Sequence, residues 1–228
     1  MKLNKNSVFG LLVTIGLLLL PLSASANIAT SDVPTAIVKS DNAVLAKKDG
    51  AISIKAGPKQ LEKINALYGK ETTQAEFIKT IYPEALEVIP AEVLKEYENI
   101  RFVFGKEDPS ASNESKFIDN NKSGIIFVTG TSGRSGPANN LFHDGKTVST
   151  GPSNLSTTST LEKNIGGSIV TVSSAYDFSS NTTLSYASAT YNGVAGLYRT
   201  VSYHVSTPPG ATPWAGTSYA NYNFAQVN

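Results

Sequence analysis

The residues best suited to chemistry surround one glycine-rich stretch, GTSGRSGP at residues 130–137. Glycines around a serine are typical of a nucleophile, which makes Ser132 or Ser135 a candidate, with His143 or His204 as its base. The spacing differs from G-x-S-x-G, and both serines precede both histidines, unlike the chymotrypsin-like order that the glycine pattern suggests. We therefore predict a flexible loop and no catalytic residue, and keep a secreted serine hydrolase as an alternative.

Metal binding is not favoured by the sequence. His143 and His204 are the only histidines, neither has an HxH or HxxxH partner, and the chain has no cysteine. A zinc site needs three or four well-placed ligands. Calcium binding by oxygen ligands around residues 119–121 would lack the EF-hand spacing. We predict no metal and no cofactor.

Aromatic residues are the third candidate for function. Seven of the ten tyrosines lie after residue 175, together with the single tryptophan. Exposed rings on a sheet can stack on sugars or insert into surfaces, although core packing is the commoner role of any one ring. The residues that we predict to bind a ligand are Tyr191, Tyr198, His204, Trp214 and Tyr219.

Residues 168–205 are predicted to form the central strands that position these side chains. Within them, Asn192-Gly193 is flanked by alternating apolar and polar residues, the pattern of a two-residue hairpin turn. With this turn, Tyr191 faces Val194 and the pairing runs back along both strands.

One face of this predicted hairpin is the expected core side, because side chains alternate along a strand. Arg199 shares that face, opposite Tyr186, and we predict both at the sheet edge with their polar tips in water. The apolar members of the face are Leu184, Tyr186, Leu197, Val201, Tyr203 and Val205.

The opposite face is small, hydroxylated and aromatic, and it leaves two alternatives open. It packs on a second sheet through its small residues, or it is an exposed recognition surface. Strands with so few charges also invite pairing with other chains unless their edges are covered. The members of this face include Ser185, Ala187, Ala189, Tyr191, Tyr198, Thr200, Ser202 and His204.

Residues 1–26 have the pattern of a secretory signal peptide. Lys2 and Lys5 precede an apolar run that is too short for a good membrane anchor, and ASA at residues 24–26 is a cleavage site. We therefore predict an extracellular protein whose core holds without disulfides. The net charge of +1, with no basic stripe, makes nucleic acid a poor candidate partner.

Residues 27–104 carry most of the charges and are predicted to be a helical N-terminal region, a candidate pro-region. Its start, up to residue 57, is expected to be largely irregular, with a short strand at residues 51–54. Helices then begin at Pro58 and at a capping box of Thr73 and Glu76.

A polar linker is predicted at residues 105–116, where GKEDPSASNESK has no large apolar residue. Residues 117–228 then read as five or six strands without an intervening helix. The predicted fold class is mainly β, with an antiparallel β-sandwich C-terminal domain preceded by a short α-helical N-terminal segment.

Four short stretches in the last quarter of the chain carry a resemblance to a known family. They are VSSAY at residues 172–176, SAT followed by NG within residues 188–193, WA at residues 214–215 and YANYNF at residues 219–224. They resemble the lactococcin 972 family of secreted bacteriocins. The resemblance implies a short β-sandwich that acts on the envelopes of competing bacteria. The chain departs from the family in its long helical segment and in lacking clustered histidines and an N-terminal glycine-tryptophan pattern.

Three function classes follow. The first is a secreted non-enzymatic protein, a bacteriocin-like effector directed at the cell envelope. The second is an extracellular carbohydrate-binding or surface module, in which self-association is a further option. The third is the serine hydrolase. The predicted partner is accordingly a cell-envelope component or a polysaccharide.

Overall fold

The computed structural model describes residues 42–105, 114–121 and 124–228. The predicted signal peptide (residues 1–26) lies outside them, as do residues 106–113 of the predicted linker. Within the described residues the chain is mainly β, with antiparallel sheet and three α-helices, as the sequence predicts at this level. In these residues no helix is long and apolar enough to cross a membrane.

The described part of the chain contains ten strands, and two of them are unusually long, with 25 and 24 residues. In chain order the strands are β1 (Ala43–Lys48), β2 (Ala51–Lys55), β3 (Glu71–Thr73), β4 (Arg101–Val103), β5 (Glu114–Asn121), β6 (Gly124–Ser135), β7 (Leu141–Ile165), β8 (Ser168–Tyr191), β9 (Gly196–Thr207) and β10 (Trp214–Val227).

The three helices lie between β2 and β4, where the sequence places them. The predicted capping box begins the second helix, because Thr73 Oγ1 accepts the Glu76 N–H and the Glu76 carboxylate accepts the Thr73 N–H, both at 3.1 Å. These bonds lower the pKa of Glu76. The helices are α1 (Pro58–Ala66), α2 (Gln74–Ile81) and α3 (Ala91–Tyr97).

Strand β7 organises the larger sheet. One edge pairs with β8 on both sides of an irregular stretch at residues 149–154, while the other edge pairs first with β6 and then, beyond residue 153, with β9. Strands β5 and β10 extend the sheet beside β6 and β9, and β1 and β2 extend it beside β8. The prediction that the chain up to residue 57 is largely irregular is therefore wrong for residues 43–55, although the short strand within it is confirmed.

The predicted turn at Asn192-Gly193 is wrong. Strands β8 and β9 both pair with β7 rather than with each other, and residues 192–195 connect them. The Gly193 N–H donates to the carbonyl of Ala138 at 2.8 Å, so a contact from another part of the chain replaces the local hairpin bond.

The tight hairpin of this sheet lies instead between β7 and β8. Gly166 and Gly167 have φ angles of +59° and +90° and connect the paired residues Ile165 and Ser168. Two adjacent glycines supply the positive φ angles that such a turn requires.

The face predicted to be core is exposed in β8. Leu184 and Tyr186 face solvent, as does Leu197 in β9, whereas Val201 and Val205 are buried as predicted. Between residues 184 and 190 of β8 the buried side chains are instead Ser185, Ala187 and Ala189. The predicted core side is wrong for Leu184, Tyr186 and Leu197 because β8 and β9 are not partners. The register of one strand therefore does not determine which side of the other faces inward.

The predicted loop at residues 130–137 is also corrected, because residues 130–135 belong to β6. Gly130 lies against His204, where an added Cβ would come within 2.3 Å of the imidazole. The glycine therefore allows β6 and β9 to approach closely, and it does not mark a mobile loop.

The helices and the sheet share one hydrophobic core, within one compact unit that contains all described residues. The Tyr82 ring stacks on Tyr176 of β8 with centroids 5.1 Å apart, and the Tyr82 hydroxyl bonds Ser174 Oγ at 2.7 Å. Ile52 and Ile54 of β2 belong to the same cluster. In the folded chain, the helical region thus covers apolar side chains of the sheet.

Candidate functional site

His204 is held by hydroxyl groups on both sides of its ring. Its Nε2 bonds Ser218 Oγ at 2.7 Å, and its Nδ1 bonds Thr147 Oγ1 at 2.9 Å. Ser218 Oγ bonds Ser132 Oγ in turn, at 2.8 Å. The ring is fully buried, and this burial lowers the pKa of His204 to about 3.

These contacts give a serine hydrolase no support. Ser132 reaches His204 only through Ser218, whose side chain is fully buried, so the serine in contact with the base is covered. The other ring nitrogen bonds the neutral hydroxyl of Thr147, where a catalytic triad has a carboxylate.

His143 has the same kind of surroundings. Its two ring nitrogens bond Ser159 Oγ and Ser173 Oγ, each at 2.9 Å, and its side chain is fully buried. Burial, with a smaller contribution from the charge of Lys55, lowers the pKa of His143 to about 3. Both histidines are therefore neutral hydrogen-bonding groups of the interior.

The hydroxyl contacts of His204 continue through the interior to a carboxylate. Thr147 Oγ1 bonds Thr157 Oγ1 at 2.7 Å, Thr157 donates to Ser185 Oγ at 2.9 Å, and Ser185 donates to Asp177 Oδ2 at 2.7 Å. Asp177 also accepts the Ser53 hydroxyl at 2.5 Å. Ser185 and His204 of the small, hydroxylated face left open by the sequence thus belong to an internal hydrogen-bond network, which favours one arrangement of the strands.

Asp177 also helps to cover a sheet edge. Strand β2 pairs with β8 only over residues 175–179, so among the described strands β7 is the one partner of β8 beyond that point. There, Asp177 Oδ2 accepts the Tyr186 N–H at 3.1 Å and Thr182 Oγ1 accepts the Leu184 N–H at 3.2 Å. Capping these donors makes the edge less able to pair with another chain.

The two buried histidines predict a loss of stability in acid. An unfolded histidine takes up a proton near pH 6.5, whereas His143 and His204 stay neutral in the folded protein until about pH 3. The unfolded state therefore binds more protons in this window. As the pH falls from about 6.5 to about 3, the free energy of unfolding should fall, approaching about 1.4 kcal/mol per pH unit for each histidine.

Urea unfolding at a series of pH values measures this slope. Asp177 acts in the opposite sense near its own titration, because burial raises its pKa in the folded protein, so the histidine contribution is taken as the difference in slope between the parent chain and the histidine variants. His143→Gln and His204→Gln should each remove about half of it. An unchanged slope in both variants would contradict the neutral state of the two rings.

A buried ion pair lies in the same sheet. Arg199 Nε donates to Glu162 Oε2 at 2.7 Å, and the side chains are 1% and 0% exposed. The Arg199 guanidinium lies 4.6 Å from the ring centroid of Phe224, and the Tyr68 hydroxyl donates to Glu162 Oε1 at 3.4 Å. Burial raises the pKa of Tyr68. The prediction that Arg199 lies at a water-exposed edge is therefore wrong.

The five residues predicted to bind a ligand do not come together. Tyr198, His204 and Tyr219 are buried, whereas Tyr191 and Trp214 are half-buried. The Tyr191 and Tyr198 rings are neighbours, with centroids 6.3 Å apart. Trp214 pairs with Ser206, at the opposite end of β9 from Tyr198. Their role in binding stays a prediction, and only Tyr191 and Trp214 present part of a ring to solvent.

An exposed apolar surface instead crosses strands β6, β7 and β8. Phe127, Val148, Leu184 and Tyr186 are exposed by 46%, 37%, 45% and 42%. Val148 and Leu184 are direct cross-strand partners, and Phe127 lies on the same side of β6 as Thr129, the partner of Val148. We call these four residues the outer face.

Polar groups flank the outer face at Tyr186. Lys146 is the cross-strand partner of Tyr186, and Asp144, two residues before Lys146, lies on the same side of β7. The Asp144 carboxylate lies over Gly133, where an added Cβ would meet its oxygen at 2.2 Å. Burial and the charge of Asp144 raise the pKa of Tyr186. One tyrosine thus has apolar neighbours on one side and both signs of charge on the other.

The sequence contains a signal for this surface, but the predicted hairpin directs it to the core. The alternation of Leu184 and Tyr186 with small residues in β8 is a clear strand pattern, but its apolar members face outward. Phe127 lies in a continuous apolar run, residues 125–128, whose lack of alternation gives no direction for any one side chain. Only the pairing of β6, β7 and β8 brings these residues together.

Within the described residues, no group of three or more histidine, cysteine, aspartate or glutamate side chains is arranged to hold a metal ion. Comparison with protein-family models, with curated proteins and with solved structures finds no match for the chain. The resemblance to the lactococcin 972 family therefore stays a prediction.

Proposed function

We propose that the chain is a secreted, non-enzymatic protein that binds a cell-envelope polysaccharide through the outer face. The observation that carries the proposal is the set of exposed large side chains on three adjacent strands, Phe127, Val148, Leu184 and Tyr186. Exposed apolar groups clustered in this way mark interaction sites more often than single exposed residues do.

The chemistry around Tyr186 fits a sugar polymer. A tyrosine ring offers an apolar surface to sugar C–H groups, and its hydroxyl offers a hydrogen bond. Asp144 accepts hydrogen bonds from sugar hydroxyls, and Lys146 donates to them. A strip across strands suits an extended chain, which makes contacts along its length without entering a deep pocket.

The secretory pattern of residues 1–26 and the proposed two-layer fold agree with this role. We infer that β7 and β8 each fold over to form both layers of a β-sandwich. The bond between Thr147 and Thr157, which lie in the two halves of β7, supports this arrangement, as does the closeness of Gly145 to Ser202 of β9. Such a sandwich would turn the outer face away from the hydroxyl network.

The family resemblance implies antibacterial action on the cell envelope. The proposal keeps the cell envelope as the binding target and does not include killing. A clear zone on an indicator lawn would add killing to binding. The lack of a zone would leave a binding protein of the exterior.

Retention of the full chain on insoluble cell-wall polysaccharide tests the proposal. Tyr186→Ala and Phe127→Ala should each lower retention about tenfold or more, because each removes most of an exposed ring from the contact. Val194→Ser is the matched control, since this exposed side chain lies in the loop between β8 and β9. Equal retention of all three variants, or no retention of the parent chain, would overturn the proposal.

A further inference from the structure

Four segments meet at the end of the molecule where the β7–β8 hairpin turns. They are residues 134–141, 163–168, 191–198 and 225–228, and their contacts centre on one buried side chain, Tyr198. Its hydroxyl donates to the carbonyl of Val194 at 2.6 Å, and its own carbonyl accepts Arg134 Nη1 at 3.0 Å. Lys163 Nζ lies 5.0 Å from the centroid of its ring. We call these four segments the hairpin end.

Three aliphatic side chains are exposed at the hairpin end. Val194, Ile165 and Leu197 are exposed by 69%, 54% and 41%. Leu197 is the cross-strand partner of Asn164, the residue before Ile165, so Leu197 and Ile165 lie one residue apart on paired strands and point to opposite faces of the sheet. Ile165 ends β7 at the hairpin turn, Val194 lies in the loop between β8 and β9, and Leu197 lies at the start of β9.

The charged side chains at the hairpin end have one sign. Its four segments contain Arg134 and Lys163 and no aspartate or glutamate. The adjacent acid, Glu162, is fully buried and paired with Arg199. Exposed aliphatic groups and cationic side chains thus occur at the same end of the fold.

Arg134 is held in a way that leaves donors for a ligand. Its Nη1 donates to the carbonyls of Tyr198 and Ala225, at 3.0 and 3.4 Å, and both described hydrogen bonds of the side chain use that nitrogen. Its Nε and Nη2 groups remain available. Arg134 lines a cavity of about 280 Å³ with Ser135 and Gln226, whose side chains add further polar groups. A phosphate group is the kind of anion that a guanidinium binds in this way.

We propose that the hairpin end binds the surface of an anionic lipid bilayer. Ile165, Val194 and Leu197 enter the boundary between headgroups and acyl chains, while Arg134 and Lys163 contact headgroup phosphates. Binding to an anionic bilayer is inferred from the aliphatic and the cationic side chains together. A soluble anion as ligand would not account for the three aliphatic groups, and an apolar protein partner would not account for the charge. This site lies apart from the outer face and does not rest on the proposed function.

Sedimentation of the full chain with lipid vesicles tests the inference. We expect binding to vesicles of equimolar phosphatidylglycerol and phosphatidylcholine, and much weaker binding to phosphatidylcholine alone. Lys163→Gln should weaken binding to the anionic vesicles about fivefold. Val194→Ser should weaken it about tenfold, and because this side chain is so exposed, the change should not disturb folding.

The controls separate this site from the outer face and from simple anion binding. Leu184→Ser should bind the anionic vesicles as the parent chain does. Equal binding to both kinds of vesicle, or Val194→Ser binding as the parent does, would overturn the proposal. A third result would also overturn the proposal: soluble dextran sulfate displaces the protein fully from the vesicles, and Val194→Ser has no effect on vesicle binding. That result would identify a site for anionic polymers.

Discussion

Replacing Arg199 by methionine is expected to lower the free energy of unfolding by about 3–5 kcal/mol. The guanidinium and the Glu162 carboxylate are both shielded from water, with 2.7 Å between Nε and Oε2. Removing the cation leaves a buried carboxylate without its ionic partner, which costs far more than the loss of an exposed pair. Urea unfolding of Arg199→Met beside the parent chain measures the difference.

Two further variants show whether burial is the cause. Arg101 and Glu71 form an exposed ion pair at 2.9 Å, so Arg101→Met should change stability little. The double variant Glu162→Leu with Arg199→Met removes both charges and should recover much of the lost stability. Near-parental stability of Arg199→Met alone would contradict the account of a desolvated pair.

Residues 114–228 produced alone are expected not to fold cooperatively. Without the preceding region, Tyr176 and Phe178 of β8 lose the apolar residues of α2 and β2 that pack against them, and the edge of β8 loses its pairing with β2. The exposed aromatic surface should lead to aggregation and to loss of the near-ultraviolet circular dichroism signal. This outcome would argue against a helical region that is removed as a pro-region.

Fragment complementation supplies the control for the truncation. Residues 27–105 and 106–228, produced separately and refolded together, should form a complex, since the core that joins them is intact. The shared core would be contradicted if the truncated chain 114–228 unfolded in one sharp transition and if adding the first fragment left that transition unchanged. The helical region would then be separable, as a pro-region requires.

Local chemistry predicted the elements whose signals lie within a few residues. Thr73 and Glu76 cap α2 because both partners of the capping box are three residues apart. Pro58 begins α1 for a similar reason, since its fixed φ angle suits the first helical turn. Such elements need no knowledge of the rest of the chain.

Pairing across long separations could not be predicted in this way. Asn192-Gly193 is a strong hairpin signal, yet β8 and β9 both pair with β7, because the sheet that forms around β7 outweighs a single turn. Glu162 and Arg199 become partners only through the pairing of β7 with β9. The direction of Tyr186 depends likewise on which side of β8 meets the interior.

The polar interior was equally hard to predict. Serine and threonine side chains are typical of surfaces, and periodicity alone does not distinguish an exposed hydroxylated face from a buried one. The distinction depends on whether each hydroxyl finds a partner. Ser185 and Thr157 find one in each other, and His204 finds two, and none of these pairs is local in the chain.

The central claim is that the chain acts through the outer face. Tyrosine nitration with and without bound polysaccharide tests this claim most directly. Tyr186 is exposed, whereas Tyr198 and Tyr219 are buried, so peptide mass mapping of the free protein should find nitration at Tyr186 and little at the other two. Bound cell-wall polysaccharide should protect Tyr186. Unchanged nitration of Tyr186 in the bound protein would contradict binding through the outer face.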